Sequence, residues 1–314
     1  MALPRLRSVA SAFALALSLL SAHAQQPTLT ADQIMARVAA NQDRSEAARA
    51  HYVYVQHSRV LSRKGSAIRC EELTDTRITP TPTGSSQQLL TIQGRLLVKG
   101  NYITYNNLPD SKDAKDSTDT NNRDTSLKEI DDDENTDLDL VENIRANLLG
   151  DKPGHTKDGI NANLFPLTSK QQANYTFILR GREPRNGRDT FHIEFHPKDK
   201  NDIAWKGDAW VDTATYEPVV IRTALSRNLP VGIRVLLGTN VPGIGFTAIY
   251  APQPGDQPDG VWFPISLGSE FKIHVLYFFS RQIVVSAENR DFEKTHVTST
   301  ILDAESPINT KPQP

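Results

Sequence analysis

The residues with the clearest chemical potential are His192, Glu194 and His196, in the stretch DTFHIEFHP. On a strand, positions two apart point to the same side. Two imidazoles and a carboxylate on one side are the donor types of a zinc or other divalent-metal site. Such a site needs a convergent pocket, and no further His or Cys stands at a ligand-like spacing. The intervening Phe191, Ile193 and Phe195 read as core. His192, Glu194 and His196 therefore read first as the solvent side of a half-buried strand. A metal-dependent enzyme built on them stands as an alternative.

Asp212 is the next candidate, in WKGDAWVDTATYEPVVIR. An Asp at the start of Asp212-Thr213-Ala214-Thr215 can accept hydrogen bonds from the backbone that follows it. That chemistry predicts a turn residue rather than a catalytic acid. Alternation places Asp208, Trp210 and Asp212 on one face, with Ala209 and Val211 on the other. Cys70 is the only cysteine, so the chain forms no internal disulfide. It sits in SAIRCEEL, where a small apolar side chain in a sheet is the expected role. There is no G-x-S-x-G elbow and no G-x-x-x-x-G-K-S/T loop. The glycines of GTNVPGIGF do not follow a strand and open a helix, so they read as an inter-strand loop. The chain is thus expected to be non-enzymatic and to need no cofactor.

The elements that carry these residues are mostly strands. Thr30-Ala31-Asp32-Gln33 has capping-box spacing, and Ile34, Met35, Val38 and Ala39 continue it as a helix over residues 31–50. Strands are predicted at 51–61 and 66–79, and 87–105 reads as a third strand or more than one, with turns at 63–65 and 80–84. Residues 108–138 are rich in Asp, Ser, Thr and Asn and read as a disordered acidic insert. The run Asp131-Asp132-Asp133-Glu134 lacks the alternation and glycine of a calcium loop, so it reads as solvated linker. Leu138, Val141, Ile144 and Leu148 restore helical spacing, with Gly150 as a stop. Strands resume after Asn174, and Asn186-Gly187 is a strong hairpin signal. The total is about eleven short antiparallel strands and two helices. This predicts a mainly β (α+β) fold. A sheet of that size must close or be covered, and the two helices are the natural cover.

The first residues have the layout of a secretory signal peptide. Arg5 and Arg7 precede an apolar run over 9–20, and Ala22-His23-Ala24 fits the cleavage pattern. Cleavage after Ala24 leaves Gln25 first, so no lipid is attached there. Residues 1–24 are assigned as the signal and 25–314 as a single domain, with a frayed tail at 305–314. A soluble periplasmic protein without a transmembrane span is expected. The 35 Lys and Arg nearly balance the 37 Asp and Glu, for a net charge of −2, and no basic stripe invites nucleic acid.

Several motifs together resemble the LolA-like proteins, which include the outer-membrane lipoprotein-sorting carriers and an uncharacterised secreted bacterial branch. They are Ala31-Asp32-Gln33-Ile34-Met35, the Asn186-Gly187-Arg188 hairpin, Gly207 through Val211-Asp212 with Thr215, Pro218 and Val219, and Val261-Trp262-Phe263-Pro264. The resemblance covers roughly residues 31–107 and 139–295. It implies an unclosed half-barrel whose concave face holds acyl chains, with helices as a lid. Ile193, Phe195, Trp210, Val219, Ile221, Phe246 and Trp262 are the expected lining. An acyl chain buried there gains about 0.8 kcal/mol per methylene. The implied partner is a lipid or a lipidated protein. A sensor or scaffold that binds an envelope protein is the other non-enzymatic alternative. The acidic insert is a departure from the carriers, and their functional charged residue has no assignable counterpart here.

Overall fold

The computed structural model describes residues 29–81, 84–106, 132–148, 165–200, 204–226, 239–240, 244–253, 260–275 and 279–295. The expected signal peptide, most of the acidic insert, Gly150 and the polar tail lie outside the described residues. The chain runs through α1 (Ala31–Arg49), β1 (Tyr52–Lys64), β2 (Ala67–Thr81), β3 (Gly84–Val98) and β4 (Asn101–Tyr105). Helices α2 (Asp132–Leu148) and α3 (Ser169–Gln172) follow. Next come β5 (Tyr175–Arg185), β6 (Arg188–Pro197), β7 (Trp205–Asp212), β8 (Pro218–Leu225) and the short β9 (Thr239–Asn240). The last strands are β10 (Thr247–Gln253), β11 (Val261–Val275) and β12 (Phe279–Lys294).

All the described strands belong to one antiparallel sheet in the order β4-β3-β2-β1-β12-β11-β10-β8-β7-β6-β5, with β9 paired to β11. Two meanders, β1 to β4 and β5 to β12, are joined where β12 pairs with β1. The two ends, β4 and β5, do not pair with each other, so the sheet is unclosed. This is the fold class that the sequence predicts. The end strand β5 carries Arg180, Arg182 and Pro184 and a register shift between Leu179 and Gly181. Charge, proline and bulge all discourage edge-to-edge pairing.

Local chemistry explains the boundaries. The Thr30 hydroxyl accepts from the Gln33 N–H at 3.2 Å, and the Gln33 side chain accepts from the Thr30 N–H at 2.9 Å. Those bonds satisfy donors that a helix start leaves open. Asn186 and Gly187 have φ of 47° and 75°, as a two-residue hairpin turn requires. The 87–105 region, read as one strand or more, is two strands, because Lys99 and Gly100 also take positive φ, 47° and 88°. Pro80 does not end β2, which runs to Thr81. Residues 132–138, expected within the acidic insert, instead begin α2 (Asp132–Leu148), which includes Asp137.

Cross-strand partners share a face of a sheet. Register therefore defines one row that crosses most of the molecule: Leu179, Ile193, Ala209, Ile221, Ala248, Leu267, Ala287, Ser58, Thr74 and Ile92. It is apolar through the second meander and gains hydroxyls in the first. Both long helices lie over this face. Ile34, Met35 and Val38 of α1 join the cluster around Ile193 and Ile221. Leu138 and Val141 of α2 join a separate cluster around Val60, Cys70 and Leu96.

Candidate functional site

The expected lining residues Ile193, Phe195, Trp210, Val219, Ile221, Phe246 and Trp262 all fall in a single buried cluster. Ile193, Phe195, Val219 and Ile221 are packed in the face beneath α1, each at most 2% exposed. Phe246 joins them from the segment before β10, its backbone exchanging hydrogen bonds with Thr223 at 2.7 and 3.1 Å. Two shallow surface cavities, of about 530 and 560 Å³, lie elsewhere and include none of these residues.

Beside this apolar contact, α1 is fastened by polar groups, exposed at Arg37 and buried at Gln42 and Arg49. Arg37 donates to the Tyr216 hydroxyl at 2.5 Å, and Asn41 donates to the Thr215 carbonyl at 2.6 Å. Arg49 donates to the Trp262 carbonyl at 3.1 Å. Gln42 and Ser45 both donate to the carboxylate of Glu217, at 2.7 and 3.2 Å. Burial pushes the Glu217 carboxyl up to about 7 despite Arg49, Ser45, Arg44 and Gln42, all of which favour its charged form. Glu217 thus joins the cover helix to the β7–β8 turn and titrates near neutral pH. Nothing in the sequence singled it out, because its partners lie more than 170 positions away.

The same turn confirms the structural role of Asp212. Its Oδ1 accepts from the Ala214 and Thr215 N–H groups, each at 2.9 Å, and its Oδ2 accepts from Arg188 at 2.9 Å. Burial raises its pKa, but these donors outweigh burial and hold the carboxyl below its usual range. Tyr216 completes the turn at a φ of 59°.

Trp210 differs from its companions in direction. It pairs across strands with His192 and Val220, which puts it on the face opposite Ile193, Ala209 and Ile221. Its ring stacks on His192 at 4.9 Å, and the guanidinium groups of Arg185 and Arg222 lie 4.3 and 5.4 Å from its centroid. Its indole N–H donates to Glu183, and that bond, ahead of Arg185 and His192, lowers the pKa of the exposed carboxyl. Trp210 is buried under charged side chains, away from the helix-covered face. Trp262 likewise has a guanidinium above it, that of Arg188 at 4.7 Å.

His192, Glu194 and His196 share a strand face as expected, yet each has a different partner. His192 Nε2 lies 2.7 Å from Asp208, Glu194 accepts from Arg180 at 2.6 Å, and His196 Nδ1 faces the Pro197 carbonyl at 3.2 Å. Among the described residues, no group of His, Cys, Asp or Glu converges as a metal site would require.

Beneath α2 lies a second constellation, absent from the sequence reading. Asp137 is fully buried. It accepts from Arg281 through Nε at 2.7 Å and Nη2 at 2.8 Å, and from the Ser62 hydroxyl at 2.6 Å. Arg69 approaches its other oxygen at 3.4 Å. Glu72, 1% exposed, accepts from Arg145 of α2 at 2.7 Å and from the Tyr105 hydroxyl at 2.8 Å. Cys70 is buried as expected, with its sulfur 3.8 Å from the same hydroxyl. Burial raises the pKa of both the thiol and the phenol, so neither ionises near neutral pH. The Tyr105 ring lies where a side chain at Gly94 would stand, so that position requires glycine. A spacing signal existed: Asp137, Leu138, Val141, Ile144 and Arg145 form one helical stripe.

No protein-family model and no curated protein matches the chain. Solved structures similar to it include a LolA superfamily protein from Nitrosomonas europaea, at 10% identity and a TM-score of 0.33, covering 86% of this chain and 95% of that one. Another is a putative outer membrane lipoprotein-sorting protein domain from Vibrio parahaemolyticus, at 13% identity and a TM-score of 0.35, covering 85% and 94%. A third is a DUF1329 family protein from Desulfovibrio piger, at 11% identity and a TM-score of 0.35, covering 87% and 96%. Among the described residues, no helix is long and apolar enough to cross a membrane.

Proposed function

We propose that this chain is an exported, non-enzymatic binding protein of the cell envelope, working in the periplasm. Its ligand is a lipid, or the acyl chains of a lipidated protein. One observation carries this reading: the unbroken apolar row from Leu179 to Leu267 is covered by a helix. Displacing α1 uncovers a continuous apolar strip across neighbouring strands, and an acyl chain can replace the contacts of Ile34, Met35 and Val38. Each methylene buried there returns about 0.8 kcal/mol, so a long acyl chain compensates for lifting the helix. No catalytic group is needed for this role.

The test uses the mature chain purified from its native host compartment, followed by organic extraction and mass spectrometry. Titration with a fluorescent fatty acid provides a second readout. Co-purified acyl lipid and saturable probe binding are expected. A chain that carries no acyl lipid and leaves the probe unchanged would contradict the proposal. Because Trp210 lies on the other face, Trp210→Phe is expected to bind the probe as the unaltered chain does.

A further inference from the structure

Among the described residues, five buried side-chain atoms have no hydrogen-bond partner: Ser58 Oγ, Ser85 Oγ, Gln87 Oε1, Arg185 Nε and Trp262 Nε1. A hydroxyl rotates and an amide flips, so the first three adjust at little cost. Arg185 keeps a bond to Glu183 through Nη2. Trp262 has no such latitude. Its side chain carries one donor, fixed in a rigid ring, and no other polar atom. The residue is 3% exposed. A buried N–H without an acceptor loses its hydration and gains nothing in return, so buried tryptophans ordinarily pair theirs. Trp210, equally buried, does so with Glu183.

The groups beside Trp262 are donors. The Arg188 guanidinium lies 4.7 Å from its ring centroid. Arg188 Nη1 donates to Asp212 at 2.9 Å, and a guanidinium has five N–H groups, so it can serve a second acceptor. The Arg188 side chain is 38% exposed, so this side of Trp262 borders on water. Arg49 donates to the Trp262 carbonyl at 3.1 Å. The acids of the adjoining β7–β8 turn are taken up by other donors. Asp212 accepts from Arg188 and two backbone N–H groups, and Glu217 accepts from Gln42 and Ser45. Trp262 also belongs to the buried cluster that contains Ile193, Val219 and Ile221. An amphiphile with its chain among those residues and its polar end at Trp262 has apolar side chains along the tail and water beside the head.

We propose that Trp262 Nε1 and Arg188 form the head-group subsite of the acyl ligand, and that they bind an anionic oxygen group, a carboxylate or a phosphate. The subsite rests on the acyl-binding reading for the tail. The indole N–H takes one oxygen of the group, and the guanidinium, whose fork suits such anions, takes another. A cationic amine head offers no acceptor to the indole and is repelled by Arg188. The subsite therefore selects acyl ligands by the charge of their head, which the apolar residues cannot do.

The test follows the indole N–H resonances of the unaltered mature chain by proton–nitrogen NMR. The chain has three tryptophans, and Trp205→Phe and Trp210→Phe assign the Trp262 signal by elimination. The probes are dodecanoate, dodecyl phosphate and dodecylamine, which share one chain. The Trp262 signal is expected at the position of an unbonded indole in the free chain. Dodecanoate or dodecyl phosphate is expected to move it downfield, and dodecylamine is not. The anion that binds more tightly identifies the head as carboxylate or phosphate. Arg188→Gln is expected to weaken binding of that anion at least about tenfold and to leave dodecylamine unaffected. If the anions bind, seen as saturable shifts of backbone amides, while the Trp262 signal stays in place, the subsite is wrong and the acyl reading stands. Dodecylamine binding as tightly as both anions would also overturn the subsite alone. If no probe binds, the acyl reading fails and the subsite falls with it.

Discussion

Beneath α1 the sheet presents Ile193, Ala209, Ile221 and Ala248 in register, and beneath α2 the same face presents Ser62, Cys70 and Glu72. Both helices are amphipathic covers on one sheet. Both combine apolar contact with buried polar contacts, Gln42 and Arg49 reaching Glu217 and the Trp262 carbonyl under α1, and Asp137 with Arg281 and Arg145 with Glu72 under α2, where the ion pairs are direct. An apolar seat is costly to leave empty in water, so it calls for a replacement ligand of similar character. A seat with buried charges tolerates water and selects its occupant by sign and spacing. The face beneath α1 is the one on which the proposed acyl ligand depends.

The largest expected effect breaks the apolar half. Phe195→Ala removes a ring that is 2% exposed and is expected to cost about 3–5 kcal/mol in urea unfolding. A loss under about 1 kcal/mol would mean that this half is loosely packed. Next, the triple replacement Asp137→Leu, Arg281→Met and Ser62→Ala converts the charged socket to an apolar one. It is expected to leave stability unchanged or raise it by up to about 4 kcal/mol. It should also slow hydrogen exchange in α2, making the second half resemble the first.

A smaller effect concerns Glu217. The folded chain keeps its proton up to about pH 7, whereas an ordinary glutamate releases it near 4.5. Folding therefore takes up a proton within that window, and stability falls as pH rises from about 4.5 to about 7. Glu217→Gln keeps hydrogen-bonding groups at that position and removes the titration. It is expected to flatten this slope and to be more stable than the unaltered chain by about 2–3 kcal/mol at pH 8. Thermal melts at pH 5 and pH 8 measure it, and equal slopes in both proteins would contradict the assignment. The smallest effect is Thr30→Ala, which removes a cap bond of α1 and is expected to cost about 1 kcal/mol.

What was legible in the sequence was local. Thr30 with Gln33, Asn186 with Gly187, and Asp212 with the two N–H groups beyond it each act within a few residues, and each does what its chemistry predicts. The period of two identified the apolar side of β6 for the same reason. Alternation also separated Trp210 from Ala209, and grouping Trp210 with Ile193 overlooked that parity. The helix-sheet ion pairs were not legible, because Asp137 sits in an acidic stretch that reads as solvated. Its burial depends on Arg281, 144 positions away. The Lys99-Gly100 turn carries the glycine signal that marks the 63–65 turn, but the β-type run on either side of it reads as continuous.

Hydrogen exchange with and without a long-chain fatty acid tests the central claim most directly. The acyl ligand is expected to loosen α1 and to slow exchange along β6, β7 and β8, while α2 stays unchanged. If α1 and these strands are unaffected, or if the change falls on α2 instead, the apolar face beneath α1 is not the ligand site.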